Sequence, residues 1–399
     1  MRGVEFGRGA GMSTAMYSLC ISQLRDDGYP GAAQAVADAT GTPGSSSSDL
    51  PSRPLASILA GGPIPDSLRP SKGYSMKCST AVGARPMARF SADGRTLAVG
   101  TGDGAISLYE SETLLVRGSE LPIRRYTSHA QGVNDIDFHP TSSIIVSASE
   151  DATLHFYDAA APIDGPSRTC TDTHPVRSAA FHPQGDHLLV GTTHAALHLY
   201  DMATFRCFLA ADASHHHRAA LADARWSADG SLVASCAAGE VKVWDGASLS
   251  CVATLGRAHG GTPVGSACFS KSGRYVLTAG ADSAVKLWDV RMLREQAASA
   301  GGGRIAPAAT RTYEGGGQTA ARRVAAFSHD ERHIVGADEG SACALVWLAA
   351  LRGESAPLGG ELVAKCPGHA KPIRCIAHSP SVGAFVTCSD DGTMRAWAQ

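Results

Sequence analysis

The chain of 399 residues has little net charge, no long apolar run and no paired-cysteine motif. Each absence removes a class of function. Lys plus Arg number 35 and Asp plus Glu 37, a formal net charge of −2. A general nucleic-acid coat or a membrane-surface binder would want a marked basic excess. No run of about 18 consecutive apolar residues occurs, so no transmembrane helix and no membrane role is expected. The opening MRGVEFGRGAGMSTAM has no apolar core of the secretory kind and is not read as a signal. The 11 cysteines are odd in number, scattered and never spaced C-x-x-C. They read as reduced thiols serving as small hydrophobes, not as a zinc site or a disulfide framework. Motifs for nucleotide, metal or acyl chemistry are missing, so neither an enzyme nor a cofactor is expected. A Lys/Arg-rich run that would direct nuclear import is missing too.

What is present is glycine, 44 residues, a 44% apolar content sufficient for a core, and an internal repeat. Seven segments alternate apolar residues and end on an aromatic anchor or close to one: GDGAISLYE, EDATLHFYD, THAALHLYD, AAGEVKVWD, ADSAVKLWD, GSACALVWL and DDGTMRAWA. The anchors are Tyr109, Tyr157, Tyr200, Trp244, Trp288, Trp347 and Trp397. Upstream of each lies a second block, such as IDFHPTSSIIVSAS or ACFSKSGRYVLTAG. A short apolar segment, a Pro/Asp/Gly/Ser turn and a β-branched run give strand, turn, strand. Five units carry a histidine ahead of the first strand: His129, His174, His217, His259 and His369.

The seven units resemble WD40 repeats. The expected fold is an all-β, seven-bladed WD40 β-propeller over residues 81–399, in which neighbouring blades bury one another's sheets. In that family an Asp in the turn before the anchor strand bonds the His. The matching position holds Asp103, Asp151, Asp282 and Asp391 in blades 1, 2, 5 and 7, but His194, Ala238 and Ser341 in blades 3, 4 and 6. These Asp and His residues, with Trp244, Trp288 and Trp397, are read as structural. A catalytic His-Asp role would need a nucleophile. The run His215-His216-His217 is not read as a metal site, because no acid or thiol adjoins it in sequence and His217 fills the repeat position.

Residues 12–40 read as a small α-helical segment, with Gly28-Tyr29-Pro30-Gly31 interrupting two short helices. Two short helices bury little alone, so this segment is expected to dimerise. Residues 41–80 read as a Ser/Pro/Gly-rich linker, with a further short helix near Leu55–Leu59. The stretch 295–320 reads as a low-complexity loop between blades 5 and 6.

Tyr17, Leu19, Ile21, Ser22, Gln23, Leu24, Asp27, Gly28 and Tyr29 are similar to the N-terminal segment of the family of cleavage stimulation factor subunit 1, the WD40-repeat subunit of that mRNA 3′-end factor. So are residues 181–208, 244–261, 269–288 and 373–397. The resemblance implies a nuclear scaffold in pre-mRNA cleavage and polyadenylation. It would homodimerise through its N-terminus (Tyr17, Leu19, Ile21, Leu24 and Tyr29) and hold the scaffold and RNA-binding subunits. Contact with the RNA polymerase II C-terminal domain is also implied, and contact with RNA is indirect. The helical segment is similar as well to the LisH-type dimerisation motif. The alternative is therefore a WD40 substrate adaptor of a ubiquitin ligase or another LisH/WD40 assembly.

Propellers bind at the mouth of their channel. One repeat position on the first strand of each blade, expected to face that rim, holds Pro86, Asn134, Arg177, Ala222, Gly265, Arg323 and Arg374. Three arginines at equivalent positions suggest a positive rim for partner binding. Arg presents a forked donor array that suits an acidic peptide or RNA phosphates. Each could instead cap a neighbouring blade.

Overall fold

The computed structural model describes residues 74–117, 121–209, 215–299, 304–305, 308–314, 325–349 and 360–399. The expected helical segment 12–40, the linker 41–73, the helix near Leu55 and Arg323 lie outside the described residues.

Seven antiparallel sheets follow one another along the chain, each with four strands in meander order except for one that gains a fifth. The first strands of the seven blades are Met87–Phe90, Val133–Phe138, Val176–Phe181, Leu221–Trp226, Val264–Phe269, Ala325–Phe327 and Ile373–His378. Each packs against the first strand of the next blade, and the seventh returns to the first. The ring is therefore closed, as a seven-bladed propeller requires.

The second strands explain how the blades fit together. Leu232–Ala237, Tyr275–Gly280 and Ala384–Ser389 are buried along their full length. Their small residues, as in LVASCA and AFVTCS, let neighbouring sheets approach face to face. Seven apolar clusters result, one at each blade-to-blade interface. The anchors Tyr109, Tyr157, Tyr200, Trp244, Trp288, Trp347 and Trp397 are all buried on the third strands. No blade has a core of its own, so stability is shared around the circle.

Two sequence boundaries shift. The propeller begins before residue 81, because Ser75–Ala81 pairs with Thr393–Ala398 as the outer strand of blade 7. A lone outer strand carries little apolar signal, and this one is mostly exposed apart from Cys78 and Thr80. The stretch 295–320 is also more than a loop. A helix, Val290–Ser299, buries Val290, Leu293 and Ala297 at helical spacing against blades 4 and 5. Asp289 caps it by accepting from the Arg291 amide at 3.0 Å. Arg304–Ile305 then adds a parallel fifth strand to blade 4, and Arg311–Glu314 completes blade 5.

Candidate interaction site at the channel mouth

The first strand of each blade is an edge strand, with one side unpaired in its own sheet. Acids of neighbouring blades satisfy several of these groups. Asp135 accepts from the Ala179 amide at 3.0 Å, and Asp137 from the Phe181 amide at 2.8 Å. Asp223 accepts from the Ala267 amide at 3.4 Å. Two arginines balance the carboxylates. Arg225 reaches Asp135 at 2.7 Å and Asp223 at 3.0 Å, while Arg89 lies 3.6 Å from Asp135 and 3.8 Å from Asp137. Burial works against the Arg225 charge, but Asp135 and Asp223 keep it firmly protonated. Burial pushes the Asp137 carboxyl up. This network ties blades 1 to 5 together inside the channel.

One end of the channel opens into a cavity of about 590 Å³ whose lining includes Arg85, Pro86, Asn134, Glu150, Arg177 and Arg374. The ladder register shifts at Asn134, Arg177, Ala222, Gly265 and Arg374, each a residue skipped between two paired neighbours. A bulge turns its extra residue out of the ladder. The repeat position chosen from sequence is therefore a bulge in five blades, and Pro86, Asn134, Arg177, Ala222 and Arg374 line this cavity. Pro86 directly precedes the first strand of blade 1.

The mouth is not uniformly positive. Arg177 lies 3.5 Å from Glu150 of the preceding blade, and Arg374 is paired with Asp390 of its own blade. The Asn134 amide donates to Glu150 at 2.6 Å and to the Val176 carbonyl at 2.7 Å. Arg177 and Arg374 thus each stand beside an acid. Arg85 was missed from sequence. It is exposed at the cavity with φ of +50°, a left-handed conformation that costs about 1–2 kcal/mol for a non-glycine residue. Its signal is an Arg-Pro pair just ahead of a first strand; blades 3, 5 and 7 also place a proline there, after His174, Thr262 and Lys371.

The structural histidines stand behind this face. In blade 7 the Trp397 indole donates to Thr387 Oγ1 at 2.9 Å. His369 Nε2 lies 2.8 Å from the same hydroxyl, and its Nδ1 lies 3.0 Å from Asp391. With a neutral imidazole the chain runs one way: indole N–H to hydroxyl, hydroxyl to Nε2, Nδ1–H to carboxylate. Blade 5 repeats it with Trp288, Thr278, His259 and Asp282. Blade 2 has His129 between Ser147 at 2.6 Å and Asp151 at 3.0 Å. Blade 4 builds the same lock with a substitute acid. His217 sits 2.6 Å from Ser235 and 3.2 Å from Glu240, which does the work that Ala238 cannot. The signal was an acid two residues beyond the vacant position. The ammonium of Lys242 donates to the carbonyls of His215 and His216 at 2.8 and 3.0 Å.

Three blades depart from the pattern. Asp103 of blade 1 bonds Thr101 and lies 3.6 Å from Arg125. The reading of His174 as a lock residue is corrected. Its Nδ1 meets Thr173 at 2.8 Å, while Asp172 takes His198 at 2.8 Å and Tyr200 at 2.9 Å. The acid of blade 3 precedes the histidine, so the bonds run to its own third strand. In blade 6, Gly336 stands where the hydroxyl would be, and the Trp347 indole N–H is buried with no partner among the described residues.

Burial pushes the imidazoles of His129, His217, His259 and His369 below the ordinary value, against the pull of their acids. His155, stacked on His129 at 3.9 Å, falls to about 4 through burial and that neighbour. Burial works to raise Asp151, but Thr153 and His129 hold it at about 2. His217 brings Glu240 to about 2. All these groups titrate at lower pH folded than unfolded, so their stabilisation is present above the unfolded value and lost as pH falls through the folded one. The His155 contribution is lost from 6.5 toward about 4, those of the other four histidines below 6.5, and those of Asp151 and Glu240 toward about 2. The melting temperature should fall by on the order of 5 °C between pH 7.5 and 5, and further below pH 4, in thermal scans.

The family model of the WD domain, G-beta repeat, matches residues 120–158, 212–245, 249–289 and 360–398. The four matches hold the third strands of blades 2, 4, 5 and 7, the blades with a complete histidine lock. The chain is a seven-bladed propeller that carries WD-repeat matches in four of its blades. It is 35% identical over 201 residues to cleavage stimulation factor subunit 50 of Arabidopsis thaliana, covering 48% of this chain and 47% of that protein. It is 26% identical over 309 residues to nuclear distribution protein PAC1-2 of Uncinocarpus reesii, covering 68% of this chain and 59% of that one. The chain thus spans about half to three-fifths of the length of these relatives. Among solved structures, the β-propeller domain of Cps50 (Swd1) from Myceliophteria thermophila superposes with a TM-score of 0.64 at 15% identity. That match covers 82% of this chain and 99% of the other, and it speaks to the fold alone.

Proposed function

We propose that this WD40 propeller is a non-catalytic scaffold subunit in nuclear pre-mRNA 3′-end cleavage and polyadenylation. The observation that carries the reading is the 35% identity to a cleavage stimulation factor subunit. Its partners are the scaffold and RNA-binding subunits of that factor, with the RNA polymerase II C-terminal domain as a further contact. It dimerises through its N-terminal segment, around Tyr17, Leu19, Ile21, Leu24 and Tyr29. The channel mouth, with Arg177 and Arg374, holds a partner segment that is acidic but mixed in charge, and Arg323, which shares their position in the sequence repeat, is assigned the same role. Glu150 and Asp390 beside the arginines suit such a peptide better than a uniform phosphate chain.

The test is affinity purification of the full chain from nuclear extract, beside the chain lacking residues 1–40 and beside the double variant Arg177→Ala, Arg374→Ala. Recovery of cleavage stimulation subunits, with self-association lost in the shortened chain, is the expected result. The double variant should bind one of those subunits at least about tenfold more weakly, about 1.4 kcal/mol. Unchanged affinity for every recovered subunit would remove the mouth from the reading. Ubiquitin-ligase components without 3′-end factors would overturn the assignment to mRNA processing.

A further inference from the structure

The connection from third to outer strand is short in blades 3 and 4. Five residues separate Asp201 from Cys207, and five separate Asp245 from Cys251. In blade 3, Asp201 closes the turn by accepting from the amides of Ala203 at 2.9 Å and Thr204 at 2.7 Å. Blades 1 and 2 place more chain here. Thirteen residues lie between Glu110 and Arg124, and nine between Asp158 and Arg168.

Both longer connections contain a Pro-Ile pair, in Leu121-Pro122-Ile123 and in Ala161-Pro162-Ile163. Leu121 is 81% exposed, Ile123 65% and Ile163 59%. Pro122 and Pro162 are exposed as well. Arg124 joins the two connections, its Nη1 donating to the carbonyls of Ala159 at 3.2 Å and Ala161 at 2.6 Å. Asp164 directly follows Ile163 and is exposed, and Asp158 opens the same connection, so two acids flank the apolar residues. Single exposed apolar residues are ordinary. Three large ones gathered from two blades by one arginine are not.

We propose that this Pro-Ile shelf, at the outer edge of blades 1 and 2, docks a short partner segment with branched apolar side chains and a flanking Lys or Arg. The apolar part follows from the exposed Leu and Ile side chains. The cation follows from charge complementarity. The Arg124 guanidinium is committed to two carbonyls, whereas Asp158 and Asp164 add two carboxylates to the connection that holds Ile163, so the shelf carries an excess of negative charge. The prolines fix φ and remove backbone donors, so the shelf is held ready and less ordering is required on binding. The occupant differs in sign from the one assigned to the channel mouth, and the two sites are independent.

A library of random 12-residue peptides displayed on phage would be selected on the full chain, then counter-selected on Ile123→Ser, Ile163→Ser. Both positions are exposed, so the variant should keep its far-UV spectrum and melting temperature. Peptides lost in counter-selection should carry two or more of Leu, Ile, Val or Phe beside Lys or Arg. By fluorescence polarisation the double variant should bind them at least tenfold more weakly, and Asp164→Asn about threefold. Arg177→Ala, Arg374→Ala should bind them as the parent does, so a failure at the mouth does not mimic a failure here. Peptides that bind the Ile variant as tightly as the parent, that are acidic, or that depend on the mouth arginines would overturn the proposal. So would a selection that enriches nothing.

Discussion

Replacing His369 with alanine should cost about 3 kcal/mol, whereas the same change at His174 should cost less than about 0.5 kcal/mol. The two histidines occupy equivalent repeat positions, but only blade 7 keeps the matching Asp. The His369 side chain is fully buried. It accepts on one nitrogen from Thr387 and donates from the other to Asp391. Its removal opens a cavity, leaves the Thr387 hydroxyl with the Trp397 indole alone, and takes one donor from a buried-side carboxylate. Asp391 keeps the amides of Ala370 and Thr393, at 2.9 and 2.8 Å, and these limit the loss. His174 is half-buried, bonded to its neighbour Thr173 and 5.2 Å from the His194 ring. Urea unfolding of the two variants measures the difference. Equal losses would mean that the bonded chain through Thr387 and Asp391 contributes nothing beyond the imidazole's own burial.

That contrast shows where the sequence was informative. Anchor residues, strand pairs and blade number were legible, because the repeat is written in apolar alternation and turn chemistry, both local properties. The lock was legible only where its acid kept its place. In blade 4 the acid moved two residues to Glu240, beyond a two-residue turn at Ala238 and Gly239. In blade 3 it moved ahead of the histidine to Asp172 and drew in His198 and Tyr200. Neither shift disturbs the strand pattern, so periodicity could not report it. The rim position was found because its offset repeats, but its character was not. The carboxylates of Glu150 and Asp390 come from the second-to-third-strand turns and meet the arginines only once the sheets form. The channel network of Arg89, Asp135, Asp137, Asp223 and Arg225 joins residues far apart in sequence, and no local pattern announces it.

A chain that starts at residue 84 should lose its cooperative transition, at a cost on the order of 5 kcal/mol, while one that starts at residue 74 should unfold cooperatively. The reason lies in how the ring closes. Blade 7 takes three strands from the end of the chain, and its outer strand, Ser75–Ala81, from before blade 1. Pairing runs from Ser75 with Ala398 to Ala81 with Thr393. Beyond it, the Val82 amide donates to the Gly392 carbonyl at 2.9 Å. Cys78 is buried in the cluster between blades 7 and 1, together with Met394 and Ala396. Without this strand, Thr393–Ala398 becomes an open edge with unpaired backbone groups, and the cluster loses one wall. The blade that closes the circle is then held to blade 1 by side-chain contacts alone. The shorter chain should also self-associate on size-exclusion chromatography, because an exposed edge pairs readily with another. A peptide covering residues 74–83, added in excess, should restore the transition and the monomeric elution. An unchanged urea midpoint in the chain starting at residue 84 would mean that the circle is held by its inter-blade clusters and does not depend on its shared strand.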